Sequence, residues 1–390
     1  MGLRTISTDS SRATIILIVL AVATAGGLWY DSPFGTTAGA LIADVRNVQV
    51  NTHAAGVATQ NYYGELLQDE EGELSPITLL DAAPLRLRDG RKKQGIQESG
   101  AIRYVDNCLL WELLPGARVI FKGAPLEINQ WGQRDRSDYT KKKPRRTFRI
   151  ALVGGSNTMG TGVLEEETFG NLIEERLNGE LAGQRYDRYE VINFSVAGYH
   201  LLERVYLVQT KVGDFEPDLI LVSSTDRDLT IQHTRLARRV YKDGPIHFQF
   251  LRKIVRESGC DARRDALKRL ERKIQPFQEE ILLGTLRELT RYARQTDTTV
   301  AVFLLRREGG KNLGKDLVRT RELLETGDLP IFPVFEAYAD VGPMELWLHP
   351  AADPNKADPH PNVEAHRRIA EDLYEQLLAH PTIGRMIRGR

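Results

Sequence analysis

Ser156 lies in the run Gly154-Gly155-Ser156-Asn157-Thr158-Met159-Gly160-Thr161-Gly162-Val163, and Asp358-Pro359-His360-Pro361-Asn362 stands far downstream. A serine hydroxyl is a poor nucleophile at neutral pH and needs a base within hydrogen-bond reach. An imidazole can be that base, and a carboxylate beside it fixes the tautomer and stabilises the imidazolium. Small residues around Ser156 let the backbone bend and an acyl carbonyl approach. A helix starting there aims N–H groups at a developing oxyanion. The chemistry that fits is acyl transfer through an ester on Ser156, with His360 as general base and Asp358 as its orienting acid. The plain alternatives are a helix-capping Ser156, a helix-capping Asp358 and an ordinary surface His360.

Other reactive side chains lack such a setting. His200 and His366 fall on predicted helices and read as packing or surface residues, while His349 lies in a loop near Trp347 with room for a substrate-side role. Cys108 and Cys260 match no metal-ligand spacing. They read as free thiols, with pairing in an oxidising compartment left open. No motif calls for a metal, nucleotide or flavin, so no cofactor is expected.

The elements that must position these residues follow a regular rhythm from Thr147. Apolar runs at "FRIALVGG", "YEVINFSVAG", "PDLILVSS", "TTVAVFLL" and "LPIFPVFEAY" alternate with helical patterns, the last being "NVEAHRRIAEDLYEQLLAH". A charged, mainly helical insertion runs from about 230 to 297. Short β-rich runs alternating with amphipathic helices predict an α/β fold, a three-layer doubly wound parallel sheet covered on both faces. Such sheets bind ligands beyond the carboxyl ends of their strands. Ser156, Gly198, the run Ser223-Ser224-Thr225-Asp226-Arg227-Asp228 and the Asp358–His360 segment all fall at that edge.

In order and spacing these four segments resemble the SGNH (GDSL-type) hydrolase superfamily, membrane-anchored bacterial type, across roughly residues 147–380. "VGGSNTMGTGV" is similar to its first block, "VINFSVAGY" to the second, "PDLILVSSTDRDL" to the third and "DPHPNVEAHRRIA" to the last. "LLPGARV" and "INQWGQRD" look like the lead-in of membrane-bound relatives. The resemblance implies a flavodoxin-like SGNH fold, with Ser156, Asp358 and His360 catalytic. It gives the oxyanion to Ser156, Gly198 and the residue at the third block's asparagine. Three departures stand out. That asparagine is Arg227 here, followed by Asp228; Gly155 stands where relatives often carry aspartate; and Ala357 takes the usual place of the acid, three before the histidine. Arginine can donate, yet its reach differs from an amide's, and losing one oxyanion donor costs about 10²–10³ in rate. Gly198 reads equally well as a turn glycine.

The remainder of the chain bears on location. Residues 13–30, "ATIILIVLAVATAGGLWY", carry no charge, and 18 such residues in a helix rise about 27 Å, close to a bilayer's hydrocarbon thickness. Arg4 and Arg12 precede the segment and Asp31 follows, so residues beyond 30 are expected outside the cytoplasm. Ala23-Thr24-Ala25 would suit cleavage of a signal peptide, and a buried core helix is the third reading. The expected organisation is a cytoplasmic tail (1–12), an anchor or signal (13–30), a juxtamembrane accessory α+β region (31–146) and the hydrolase-like domain (147–390). With 53 basic and 53 acidic residues the formal net charge is zero, which gives no reason to expect a nucleic-acid partner. The basic run 141–146 reads as a solvated linker before a buried strand.

Two functions are then open. One is an extracytoplasmic serine esterase or O-acyltransferase acting on an acylated small molecule, lipid or polysaccharide; the resemblance links such anchored proteins to acetylation or deacetylation of envelope polysaccharides. The other is a catalytically impaired scaffold that assembles with envelope protein partners, for which Arg227, Gly155 and the insertion are the motives.

Overall fold

The computed structural model describes residues 95–389 apart from 137, 307–313 and 351–356. Its first elements are two small hairpins, β1 (Ile102–Tyr104) with β2 (Trp111–Leu113) and β3 (Arg118–Phe121) with β4 (Ala124–Glu127). The main sheet holds β5 (Thr147–Val153), β6 (Arg188–Asn193), β7 (Leu219–Ser224), β8 (Thr299–Leu304) and β9 (Ile331–Phe332). Its order is β6-β5-β7-β8-β9 with every pairing parallel. That is the flavodoxin-like doubly wound order, and it bears out the α/β expectation.

All seven residues of β5 are buried, as the middle strand of a two-faced sheet requires. Phe148, Ile150 and Leu152 point to one side, where α2 (Phe169–Leu181), α9 (Val363–Ala379) and α10 (Ile383–Arg388) complete the core. Ala151 and Val153 point to the other, against α3 (Leu201–Thr210), α4 (Arg227–Tyr241) and α7 (Gln278–Thr296). Strand residues with period two thus serve two cores. The insertion between β7 and β8 comprises α4, α5 (Gln249–Glu257), α6 (Leu267–Ile274) and α7. After β8 comes α8 (Lys315–Glu325).

Two local outcomes differ from the sequence reading. The fifth strand spans only Ile331–Phe332, because Pro330 and Pro333 on either side lack the N–H that a ladder needs. His360 stands just before the last helix as expected, but on a short strand that the sequence reading did not include, β11 (Asp358–Pro361), paired antiparallel with β10 (Trp347–His349).

Residues 95–146 share the core on the α3 and α4 face. Leu109, Trp111, Phe121 and Leu126 are each at most 3% exposed and belong to the same apolar cluster as Val153 and Leu201. Removing a buried tryptophan of this kind costs about 3–5 kcal/mol. Among the described residues no helix is long and apolar enough to cross a membrane, and the segment 13–30 lies outside them. Cys108 and Cys260 are free thiols.

Candidate functional site

Strand β5 ends in Gly154-Gly155, and the chain turns at once into the single-turn helix α1 (Ser156–Met159). Both glycines are needed for space. A Cβ at Gly154 would stand 2.2 Å from Thr158 Oγ1, and one at Gly155 would stand 2.8 Å from both Arg204 Nη2 and the Tyr199 carbonyl oxygen. The space beside Gly155 is therefore filled from α3 by Arg204. That guanidinium donates to the Ser223 carbonyl at 2.8 Å, the Tyr199 carbonyl at 2.7 Å and Asp228 Oδ2 at 2.9 Å.

Downstream of Ser156 the turn is gripped by Arg134 of the "INQWGQRD" segment. Its guanidinium donates to the Met159 carbonyl at 2.9 Å, to the Gly160 carbonyl and to the Val163 carbonyl at 2.5 Å. Asn129 orders that segment by accepting from the Trp131 and Gln133 amides. Burial lowers the Arg134 pKa to about 10, so it stays charged at neutral pH.

Gly198 follows β6 with φ of +84°, a left-handed conformation that favours glycine. A Cβ there would also meet the Trp111 ring at 2.6 Å. Trp111 Nε1 donates to the Ala197 carbonyl at 3.2 Å, and the Tyr199 hydroxyl donates to the Trp111 carbonyl. Arg235 Nη2 donates to the Gly198 carbonyl at 3.0 Å. The carbonyl of Gly198 is thus turned into the protein and held from α4.

His360 and Asp358 meet as the sequence reading requires: the His360 Nδ1 hydrogen-bonds Asp358 Oδ1, and the His360 amide donates to that same oxygen at 3.2 Å. The two-residue spacing works because both lie on β11, where alternate side chains share a face. Asp358 Oδ2 accepts from Lys122 Nζ at 2.7 Å. Burial alone would raise the Asp358 pKa. The bond to and charge of His360, then the charge and bond of Lys122, outweigh it and hold the carboxyl well below the ordinary range.

Ser156, Gly198, Arg227 and His360 line one cavity of about 140 Å³, with Arg204, His200, Thr225 and Leu305 also on its wall. The structure thus brings all the expected site residues to one place, with Asp358 behind His360. His349 pairs with Asp358 across the hairpin, and His366 is buried and stacked on Phe169.

Several residues at the site escaped the sequence reading. His200 is not a helix-face residue: it caps α3 and reaches the cavity, its Nδ1 3.4 Å from Asp228 Oδ1. Burial, then the charge of Arg235, push its pKa down to about 4 against the pull of Asp228, so it is neutral at physiological pH. Lys122, Trp111 and Arg204 carried no spacing signal, since each reaches the site through tertiary packing. Arg134 lies in a segment that the resemblance had already singled out.

No family model and no curated protein matches the chain. Among solved structures, the crystal structure of TesA is 17% identical and covers 59% of this chain and 97% of its own, with a TM-score of 0.38. An acetylxylan esterase, Axe2 from Geobacillus stearothermophilus, is 12% identical over 59% of this chain and 93% of its own, with a TM-score of 0.38. A GDSL-like lipase from Bacteroides thetaiotaomicron is 10% identical over 58% of this chain and 86% of its own, with a TM-score of 0.31. The strand order is the doubly wound one expected from the sequence, and the four segments meet at one sheet edge.

Proposed function

We propose that this chain is a serine esterase or O-acyltransferase that takes a short acyl group from an acylated carbohydrate or lipid outside the cytoplasm. The observation that carries this is Ser156 and His360 facing one cavity, with Asp358 hydrogen-bonded to the ring nitrogen that does not face the serine's task. Because Asp358 occupies Nδ1, proton exchange with Ser156 falls to Nε2. In the first half-reaction Ser156 Oγ bonds to the acyl carbon as Nε2 takes its proton, and the alcohol leaves with that proton. Water or a second alcohol then repeats the sequence in reverse, giving hydrolysis or transfer. The Ser156 amide at the start of α1, the Gly198 amide and the Arg227 side chain are the donors for the oxyanion.

The size of the cavity favours a small acyl group, because about 140 Å³ leaves little room for a long chain. The extracytoplasmic setting rests on the uncharged run 13–30 with its basic flank.

Arg227 favours a second reading, a binding scaffold, because a long charged donor replaces the expected amide. The two readings part on one measurement. The full-length chain in detergent is treated with a fluorophosphonate probe and assayed with p-nitrophenyl acetate beside Ser156→Ala. The esterase reading expects labelling at Ser156 and at least about 10³-fold loss of turnover in the variant. Neither labelling nor turnover between about pH 6 and 9 would leave the scaffold.

A further inference from the structure

Lys122 and Gly123 form the two-residue turn of the β3–β4 hairpin, with φ of +50° and +86°. A turn with both central residues left-handed favours Asn-Gly, since a side chain with a Cβ is strained there. A long lysine at the first of these positions is therefore conspicuous. It does not wave in solvent: its side chain is 19% exposed and its ammonium lies 2.7 Å from Asp358 Oδ2, across 236 residues of sequence. The other oxygen of that carboxylate serves His360.

Resting on the esterase reading above, we propose that Lys122 is a positioning residue that tunes His360, holding it in the neutral, proton-accepting form at lower pH than the Asp358–His360 pair alone would. The sign follows from charge. Protonating His360 puts a second cation against a carboxylate already shared with an ammonium, which disfavours the imidazolium. With Lys122 gone, Asp358 is left wholly to the imidazolium, and both changes raise the pH at which His360 loses its proton. A lysine that merely braced the acid would act in the opposite direction, because a loosened Asp358 stabilises the imidazolium less.

The other charged or titratable groups near His360 among the described residues do not vary in this comparison. His349 on β10 lies opposite Asp358, and His366 on α9 is kept neutral by burial. On the cavity side Arg204 is committed to Asp228, His200 is neutral, and Arg227 lines the wall.

The test is the rate of fluorophosphonate labelling at Ser156 in the full-length chain, measured from about pH 4.5 to 9. Wild type is compared with Lys122→Met, Lys122→Asn and Lys122→Arg; asparagine suits the left-handed backbone and guards against a folding defect in the methionine variant. Both neutral variants are expected to move the acid limb up by about one pH unit, so that labelling on that limb falls about tenfold, while the arginine variant keeps the wild-type midpoint. Neutral variants whose limb stays put or moves down, or an arginine variant that shifts as far as they do, would overturn the inference. A wild-type chain that does not label at all overturns the esterase reading, and this inference with it.

Discussion

Two aspartate–histidine–cation clusters flank the same cavity, and they are built for different ends. Asp228, with His200 and Arg204, is completely buried, and its oxygens also accept from the Leu201 and Thr225 amides at 3.0 and 2.9 Å. Burial would raise its pKa, but the charge of Arg204 and then the bond from His200 hold it well below the ordinary range. Asp358, with His360 and Lys122, is 15% exposed, and among the described residues its backbone partner is the His360 amide. The first cluster ties β7, α3 and α4 together and leaves its histidine neutral. The second joins β11 to the β3–β4 turn and leaves its carboxylate shared between His360 and Lys122. Composition is nearly the same; what separates structure from chemistry is solvent access and how much of the carboxylate is already spent on backbone.

That contrast can be broken, and its largest predicted effect is on rate. Asp358→Asn is expected to lower turnover of p-nitrophenyl acetate by about 10⁴, because an amide holds the wrong tautomer. Its unfolding free energy should fall by less than that of an Asp228 variant, because the pair with Lys122 keeps some contact with solvent. Asp228→Asn should do the reverse, costing about 3–5 kcal/mol in urea unfolding by leaving Arg204 buried without its counter-charge. A rate collapse in a chain of undiminished stability would show that Asp228 had been assigned to the wrong class.

The smallest expected effect concerns acid stability. Burial first, then the charges of Arg134 and His360, lower the His366 pKa to about 3, and the unfolded chain titrates near 6.5. Between those values the unfolded state binds the extra proton. The contribution of His366 is therefore complete above about pH 6.5 and is lost as pH falls towards 3, at about 1.4 kcal/mol per pH unit. His366→Leu should flatten the dependence of unfolding free energy on pH below 6 by roughly that slope, even if its stability at pH 7 is lower. An unchanged slope would mean that His366 is protonated in the folded protein.

Much of this site was legible beforehand for a local reason. Ser156, Gly198 and Arg227 each follow a parallel strand, and a strand's apolar run, its terminal glycines and the next helix are all printed in adjacent residues. The Asp358–His360 pair was legible through the resemblance of its segment to a known last block, whereas the strand that sets both side chains on one face was not read beforehand. The N-terminal hairpins fall within the expected accessory α+β region, but nothing in that reading hinted at their target. His200 fell on a predicted helix rather than at its cap because the two positions look alike when the boundary is uncertain by one residue.

What the sequence determined by itself was thus the class of fold, the order of its strands along the chain, and the placing of a serine, a histidine and an acid at one edge of the sheet. Those follow from periodicities of two and 3.6 residues and from turn chemistry, which act over neighbouring positions. Only the tertiary structure decided that Lys122 meets Asp358, that Trp111 forbids a side chain at residue 198, and that Arg204 fills the space beside Gly155. Each of those contacts joins segments whose approach is set by packing of the whole core, and packing leaves no local mark in the chain.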